Sequence, residues 1–179
     1  MKYLLIFIFL TLELLAVSET PWSTGIELHG SIFNNDPDRA ILGDSIGFGL
    51  SLGYRATQKW TIQLRIENNR WFTSEFSRTI EPGSFNAGVG IARHFFNRRL
   101  RSSIMAGTST LLFDTFFHGA GHTGLYFEAR PIGFRFSISD NVWFYHDPWI
   151  ISIVAPVLFS SPALIFKQFR TTLGVQYEF

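Results

Sequence analysis

The chain contains no cysteine and very little lysine. The absence of cysteine excludes a disulfide framework and any thiolate metal site, so an exported chain of this size must draw its stability from packing or from a membrane. Lysine occurs only at Lys2, Lys59 and Lys167; the other basic residues are arginines. A sheet face open to water usually carries many lysines, whereas the planar fork of arginine suits enclosed sites where it pairs with carboxylates. The net charge of +1 gives no basic excess that would point to nucleic acid. Beyond the N-terminus there is no long apolar run, so the chain cannot cross a membrane as helices.

What is present begins with the pattern of a secretory signal. Lys2 supplies a positive start, Tyr3 to Leu15 an apolar run, and Ala16-Val17-Ser18 a small-x-small cleavage site. The run is short for a membrane anchor and contains Glu13. Residues 1–18 are therefore expected to be a signal peptide, cleaved near Ser18, and residues 19–179 one domain.

Aromatic residues make up 17% of the chain, with 20 Phe, and they are placed by alternation. In the last eleven residues Phe169, Leu173, Val175, Tyr177 and Phe179 fall on one face of an extended strand; Arg170, Thr172, Gly174, Gln176 and Glu178 fall on the other. The same period recurs upstream. Ile26 and Leu28 oppose Glu27, His29 and Ser31. Ile46, Phe48, Leu50, Leu52 and Tyr54 oppose Gly47, Gly49, Ser51, Gly53 and Arg55. Trp60, Ile62, Leu64 and Ile66 oppose Thr61, Gln63, Arg65 and Glu67. A fourth strand runs through Phe85 to Ile91, and a weaker fifth runs from Leu100 to about Leu112. The sixth changes phase at Arg130-Pro131, where a β-bulge would insert one residue. The seventh, within Val142 to Leu158, is interrupted by Pro148 and Pro156; only Ile151, Ile153, Ala155 and Val157 give it a clean face. Eight strands result, with three short and four long connections in alternation. About 20 residues per strand and connection fits strands of about 9–11 residues tilted across a bilayer. Short turns on one side and long loops on the other suit an outer-membrane barrel with both termini in the periplasm, and Trp22, Trp60, Trp143, Phe95 and Phe179 fall where an interfacial girdle belongs.

Alternation alone leaves two barrels open: a soluble one of lipocalin type with the apolar face inside, or a membrane barrel with the polar face inside. The polar face carries Glu27, Arg55, Arg65, Glu67, Glu128, Arg130, Arg135, Arg170 and Glu178 among small residues. Each arginine turned to lipid near the midplane would cost roughly 2–4 kcal/mol. Turned inward, long charged side chains beside glycine and serine suit the crowded interior of an eight-stranded barrel. The expected fold is an all-β, closed, antiparallel up-and-down transmembrane β-barrel with this set as its lumen charge network.

The chain resembles small bacterial outer-membrane barrels of the OmpA/OmpX type. The resemblance rests on the signal, the strand rhythm and Gly174-Val175-Gln176-Tyr177-Glu178-Phe179, in which Tyr177 and Phe179 match the aromatic C-terminal assembly signal. It implies the outer membrane of a Gram-negative envelope, contact with its lipid and lipopolysaccharide, delivery by the barrel-assembly machinery, and a monomer without a cofactor. It leaves function open, since the scaffold hosts adhesins, small pores, lipid-modifying enzymes and structural proteins.

Three constellations invite chemistry. His29 and Ser31 share a strand face with Glu27, the residue types by which hydrolases activate a hydroxyl, and the spacing is similar to the His-x-Ser of outer-membrane lipid A deacylases. Here, however, the set lies in the first strand and faces inward, which favours polar filling of the lumen. His118 and His122, with Asp114, stand in a glycine-rich loop, a poor context for a metal. The inward charges read either as a plug or as a narrow, selective path. Loop aromatics Trp71, Phe72, Phe76, Phe113, Phe116 and Phe117 suit a ligand or a membrane belt. The leading expectation is a non-enzymatic surface or ligand-contacting protein; the alternatives are a lipid A acyl hydrolase or transferase and a narrow pore.

Overall fold

The computed structural model describes residues 22–34, 45–71, 83–112, 121–157 and 164–179. The expected signal peptide, His118, Asp114 and the loop aromatics Phe72, Phe76, Phe113, Phe116 and Phe117 lie outside them. Eight strands are formed: β1 (Trp22–Asn34), β2 (Ser45–Arg55), β3 (Trp60–Trp71), β4 (Gly83–Phe95), β5 (Leu100–Leu111), β6 (Thr123–Ser137), β7 (Val142–Val157) and β8 (Leu164–Glu178). Each pairs antiparallel with the next, and β8 returns to β1, so the barrel is closed. At the seam Ile26 lies opposite Val175 and Glu27 opposite Gly174. Closure removes the free edges that would otherwise expose unpaired backbone groups, which a lipid environment does not tolerate.

Burial alternates with the opposite sense to a soluble barrel. Ile26 and Leu28 are 62% and 63% exposed, whereas Glu27 and His29 between them are each 2% exposed. The same inversion holds along β2, β3 and β8, where Phe48, Leu64 and Val175 point outward and Ser45, Arg65 and Gln176 inward. The hydrophobic side chains therefore cover the exterior and the polar residues form the core.

Several strands extend beyond their sequence-based limits. The turns Ala56–Lys59, Phe96–Arg99 and Ile138–Asn141 join β2 to β3, β4 to β5 and β6 to β7 at one end, called here the turn end. The connection between β3 and β4 is shorter than the gap that the alternation leaves between Glu67 and Phe85, because Asn68, Asn69, Arg70 and Trp71 continue the β3 ladder against Gly83, Ser84 and Phe85 of β4 and Ser45 to Phe48 of β2. In β6 the register shifts between Ala129 and Ile132, which is the phase change expected at Arg130-Pro131.

Strand β7 differs most from its sequence pattern. It continues through both prolines, and its pairing with β8 shifts between Asp147 and Ile150 and again between Val154 and Val157. Each irregularity lies at a proline, which cannot donate to the ladder. After the first shift Ile150 and Val154 turn inward and are fully buried, with Ser152 between them on the same face. Ala155, placed by its pattern on the exposed face, is 3% exposed and packs where Gly124 of β6 approaches its backbone.

Candidate functional site

The lumen is the chemically distinctive part of the described molecule. Six strands contribute charge to its middle: Glu27 from β1, Arg65 and Glu67 from β3, Arg101 from β5, Glu128 and Arg130 from β6, Asp147 from β7 and Arg170 from β8. At this level β2 and β4 present small residues instead. A Cβ on Gly49 would stand 2.9 Å from the Glu27 side chain, and one on Gly88 would stand 2.9 Å from Met105. Glycine on two strands makes room for long side chains from the others.

Arg130 is the hub. Its Nη1 and Nη2 donate to both oxygens of Glu27 at 2.9 and 2.8 Å, its Nε to Glu128 at 2.6 Å, and Nη1 also to Asp147 at 2.6 Å. Arg170 makes a second two-bond fork onto Glu67, at 2.9 Å for each bond. Arg65 donates to Glu128 at 2.5 Å and lies 3.3 Å from Glu27. Arg101 reaches Asp147 through Nε at 3.0 Å and Nη2 at 2.5 Å. Tyr126 and Tyr145 donate hydroxyl bonds to Glu128 and Glu27, and Asn69 and Asn86 donate to Glu67. Four arginines thus meet four carboxylates, largely in forked, charge-assisted geometry. The arrangement cross-braces six strands through the middle of the lumen.

The low-priority nucleophile set is not coupled. His29 Nε2 shares a 2.6 Å bond with Asn69, while Ser31 Oγ accepts from the Ser45 amide at 2.6 Å and lies 3.0 Å from the Ser45 hydroxyl. Glu27 is committed to Arg130 and Tyr145. Glu27, His29 and Glu67 bring ligand-type atoms within 4.8 Å of one another, but both carboxylates are already held in arginine forks. The group is chemically part of the ion network.

A smaller cluster closes the turn end. Glu178 Oε2 accepts from Arg55 at 2.6 Å, and its Oε1 accepts from both Arg98 and Arg135, the latter at 3.0 Å. Arg98 belongs to the β4–β5 turn; burial lowers its pKa from the ordinary guanidinium value, and the bond to Glu178 opposes that shift. Arg98 and Arg135 flank the Trp143 ring, at 5.0 and 4.5 Å from its centroid. Trp143 therefore turns into the mouth and is not part of the outer girdle to which its position at a strand end assigned it. Trp22, Phe95 and Phe179 are exposed on the outside at the same end, where Trp22 stacks edge-on with Tyr54 at 5.0 Å and Tyr177 with Phe179 at 5.1 Å.

Sequence reasoning did not place Arg101, Asp147, Tyr126 or Tyr145 in the network. Tyr126 had a usable signal, since it alternates in phase with Glu128. Asp147 and Tyr145 were hidden by Pro148, and Arg101 by the weak pattern of its strand. His94 and His146 make single structural bonds, to Thr61 and to the Thr172 carbonyl.

An eight-stranded closed antiparallel barrel, apolar outside and ion-paired inside, has the fold of small eight-stranded outer-membrane barrels. Similar solved structures are the Neisserial surface protein A, NspA (TM-score 0.60, 11% identity, 88% of this chain and 96% of that one), the attachment invasion locus protein Ail of Yersinia pestis (0.54, 14%, 90% and 100%), and the outer membrane protein OprG of Pseudomonas aeruginosa (0.52, 12%, 92% and 98%). At these identities the likeness is one of fold. No protein-family model matches the chain, and no curated protein sequence does.

Proposed function

We propose that the protein is a non-enzymatic outer-membrane surface protein whose barrel is a static scaffold and whose specificity lies in the connections at the end opposite the turns. On this reading the turn end faces the periplasm, the long connections face outward, lipid and lipopolysaccharide surround the barrel as a monomer, and the barrel-assembly machinery inserts it through Tyr177 and Phe179. One observation carries the reading: among the described residues every carboxylate in the middle of the lumen is held by arginine, and His29 and Ser31, which share a strand face, are bonded elsewhere. A lumen whose mid-level carboxylates are all committed to arginine favours a plug over a path and leaves the connections to meet partners.

Mass spectrometry of lipid A from cells with and without the protein tests it. The acyl pattern is expected to be the same in both. A deacylated or newly acylated species that disappears in His29→Ala or Ser31→Ala would overturn the reading in favour of a lipid A-modifying enzyme. Single-channel recording is expected to give no conductance above the bare bilayer, and a steady conductance would favour a pore.

A further inference from the structure

Apart from His29 Nδ1 and Arg170 Nε in the ion network, the buried polar atoms without a partner among the described residues fall into two groups. Toward the far end of the lumen they are mainly hydroxyls and amides: Ser84, Asn86, Ser109, Gln168 and Thr172. Such groups both give and take hydrogen bonds, or are readily met by water. At the turn end they are nitrogens: Arg98 Nε, Arg135 Nε and Nη1, Trp143 Nε1 and His94 Nδ1. The guanidinium and indole nitrogens can only donate. This mouth is short of acceptors.

The carboxylate set against these arginines is shared, and Arg135 Nη2 has Gln176 Oε1 as a further acceptor at 3.1 Å. Glu178 offers a single oxygen, Oε1, to both Arg98 and Arg135. Arg135 is 1% exposed, so no solvent makes up the difference. The turn that delivers Arg98 is itself unusual. Phe96, Asn97 and Arg98 have φ of 48°, 53° and 69°, all in the left-handed region that residues with a Cβ avoid. Strain of this kind persists where the surroundings demand it, and here it directs Arg98 back over the mouth to Glu178 and Trp143. The Arg98 side chain is 21% exposed and forms the outer edge of the cluster.

We propose that the turn-end mouth binds a phosphate group, held by Arg98 and Arg135 against Trp143, with Glu178 as the internal carboxylate that the phosphate displaces. A phosphate carries more acceptor oxygens than a carboxylate and spreads them tetrahedrally. It can therefore give each guanidinium its own oxygen and reach the Nε donors that Glu178 leaves unmet. Entry is at Arg98. The phosphate comes either from a lipid headgroup, since the Trp22, Tyr54, Tyr177 and Phe179 rings place an interfacial belt at this end, or from a free phosphate compound. The proposal rests on the lumen geometry and not on the loop-centred function, so either can fail alone.

The test is calorimetric titration of the folded full-length barrel in neutral detergent with inorganic phosphate. Saturable binding is expected, at least tenfold weaker in Arg98→Asn and in Arg135→Gln and unchanged in Arg99→Asn. Asparagine tolerates the left-handed backbone at position 98, so that variant keeps the turn and carries the test if Arg135→Gln does not fold. Arg99 is the exposed neighbour on the same turn and controls for general charge. No saturable binding, or equal weakening by Arg99→Asn, would overturn the proposal. Titration in nanodiscs then separates the sources: competition that rises with the fraction of phosphatidylglycerol assigns the site to a headgroup, and its absence assigns it to free phosphate.

Discussion

Arg130 touches three carboxylates from three strands, and its side chain is 1% exposed. A buried ion network of this kind adds little net stability over a well-packed apolar core, but removing one member leaves uncompensated charge. Arg130→Met is therefore expected to destabilise the barrel by roughly 3–5 kcal/mol, read as a lower urea midpoint in lipid vesicles. Adding Glu27→Gln, which removes the charge facing the lost fork, is expected to recover part of the loss; an additive double variant would show that the two do not act as a unit. Gly174 makes a different demand at the same scale. A Cβ there would stand 2.3 Å from the Tyr145 ring and 2.7 Å from the Ile26 carbonyl. Gly174→Ala forces the tyrosine that holds Glu27 out of place, at a cost of about 1–3 kcal/mol by the same measurement. Partners of this kind are hard to read from sequence. Alternation puts Glu27, Arg65, Glu67 and Arg170 on inward faces, and that much is legible. Which carboxylate each arginine meets depends on stagger around the barrel, and Arg130 meets Glu27 from a residue 103 positions away.

At the scale of the strand, register decides everything, because a slip of one residue exchanges the two faces. Strands β2, β3 and β8 were legible because their alternation is unbroken. The limits of β3 and β4 were not, since Asn68, Asn69 and Arg70 read as loop residues yet pair along the ladder. Strand β7 was obscured because two prolines and two register shifts divide one strand into pieces of different phase. The shift in β6 offers a clean test. Deleting Gly133, in the regular stretch after the shift, would carry Phe134 and Phe136 from the outside into the lumen and Arg135 to the lipid. The variant is expected to give no heat-modifiable species on gels, whereas deleting Pro131 removes only the extra outward residue, keeps Ile132 outside and Arg135 inside, and is expected to retain the mobility shift. A Gly133 deletion that folds normally would mean the register adjusts elsewhere.

For the whole molecule, the decisive property is that the hydrophobic surface is outside. Leu64 is 53% exposed and sits between Leu52 and Val89 in the outward face of β2, β3 and β4. In water, replacing so exposed a residue with arginine would change stability little, since surface substitutions away from special features usually stay within about 0.5 kcal/mol. In a bilayer the same change near the midplane costs roughly 2–4 kcal/mol. Leu64→Arg is thus expected to lower stability in lipid vesicles by that amount, while Phe179→Arg, at the strand end, is expected to cost no more than about 1 kcal/mol because the penalty fades toward the interface. The depth dependence is the informative part. Equal small effects at both positions would describe a barrel whose phenylalanine-rich face meets water, and would remove the physical reason for turning its arginines inward. A graded loss, largest at Leu64, ties the outward apolar band to lipid and makes the ion-paired lumen its necessary counterpart: with one face given to hydrocarbon, the polar half of every strand has only the interior left to fill, and the balance of arginine and carboxylate there is what lets it be filled.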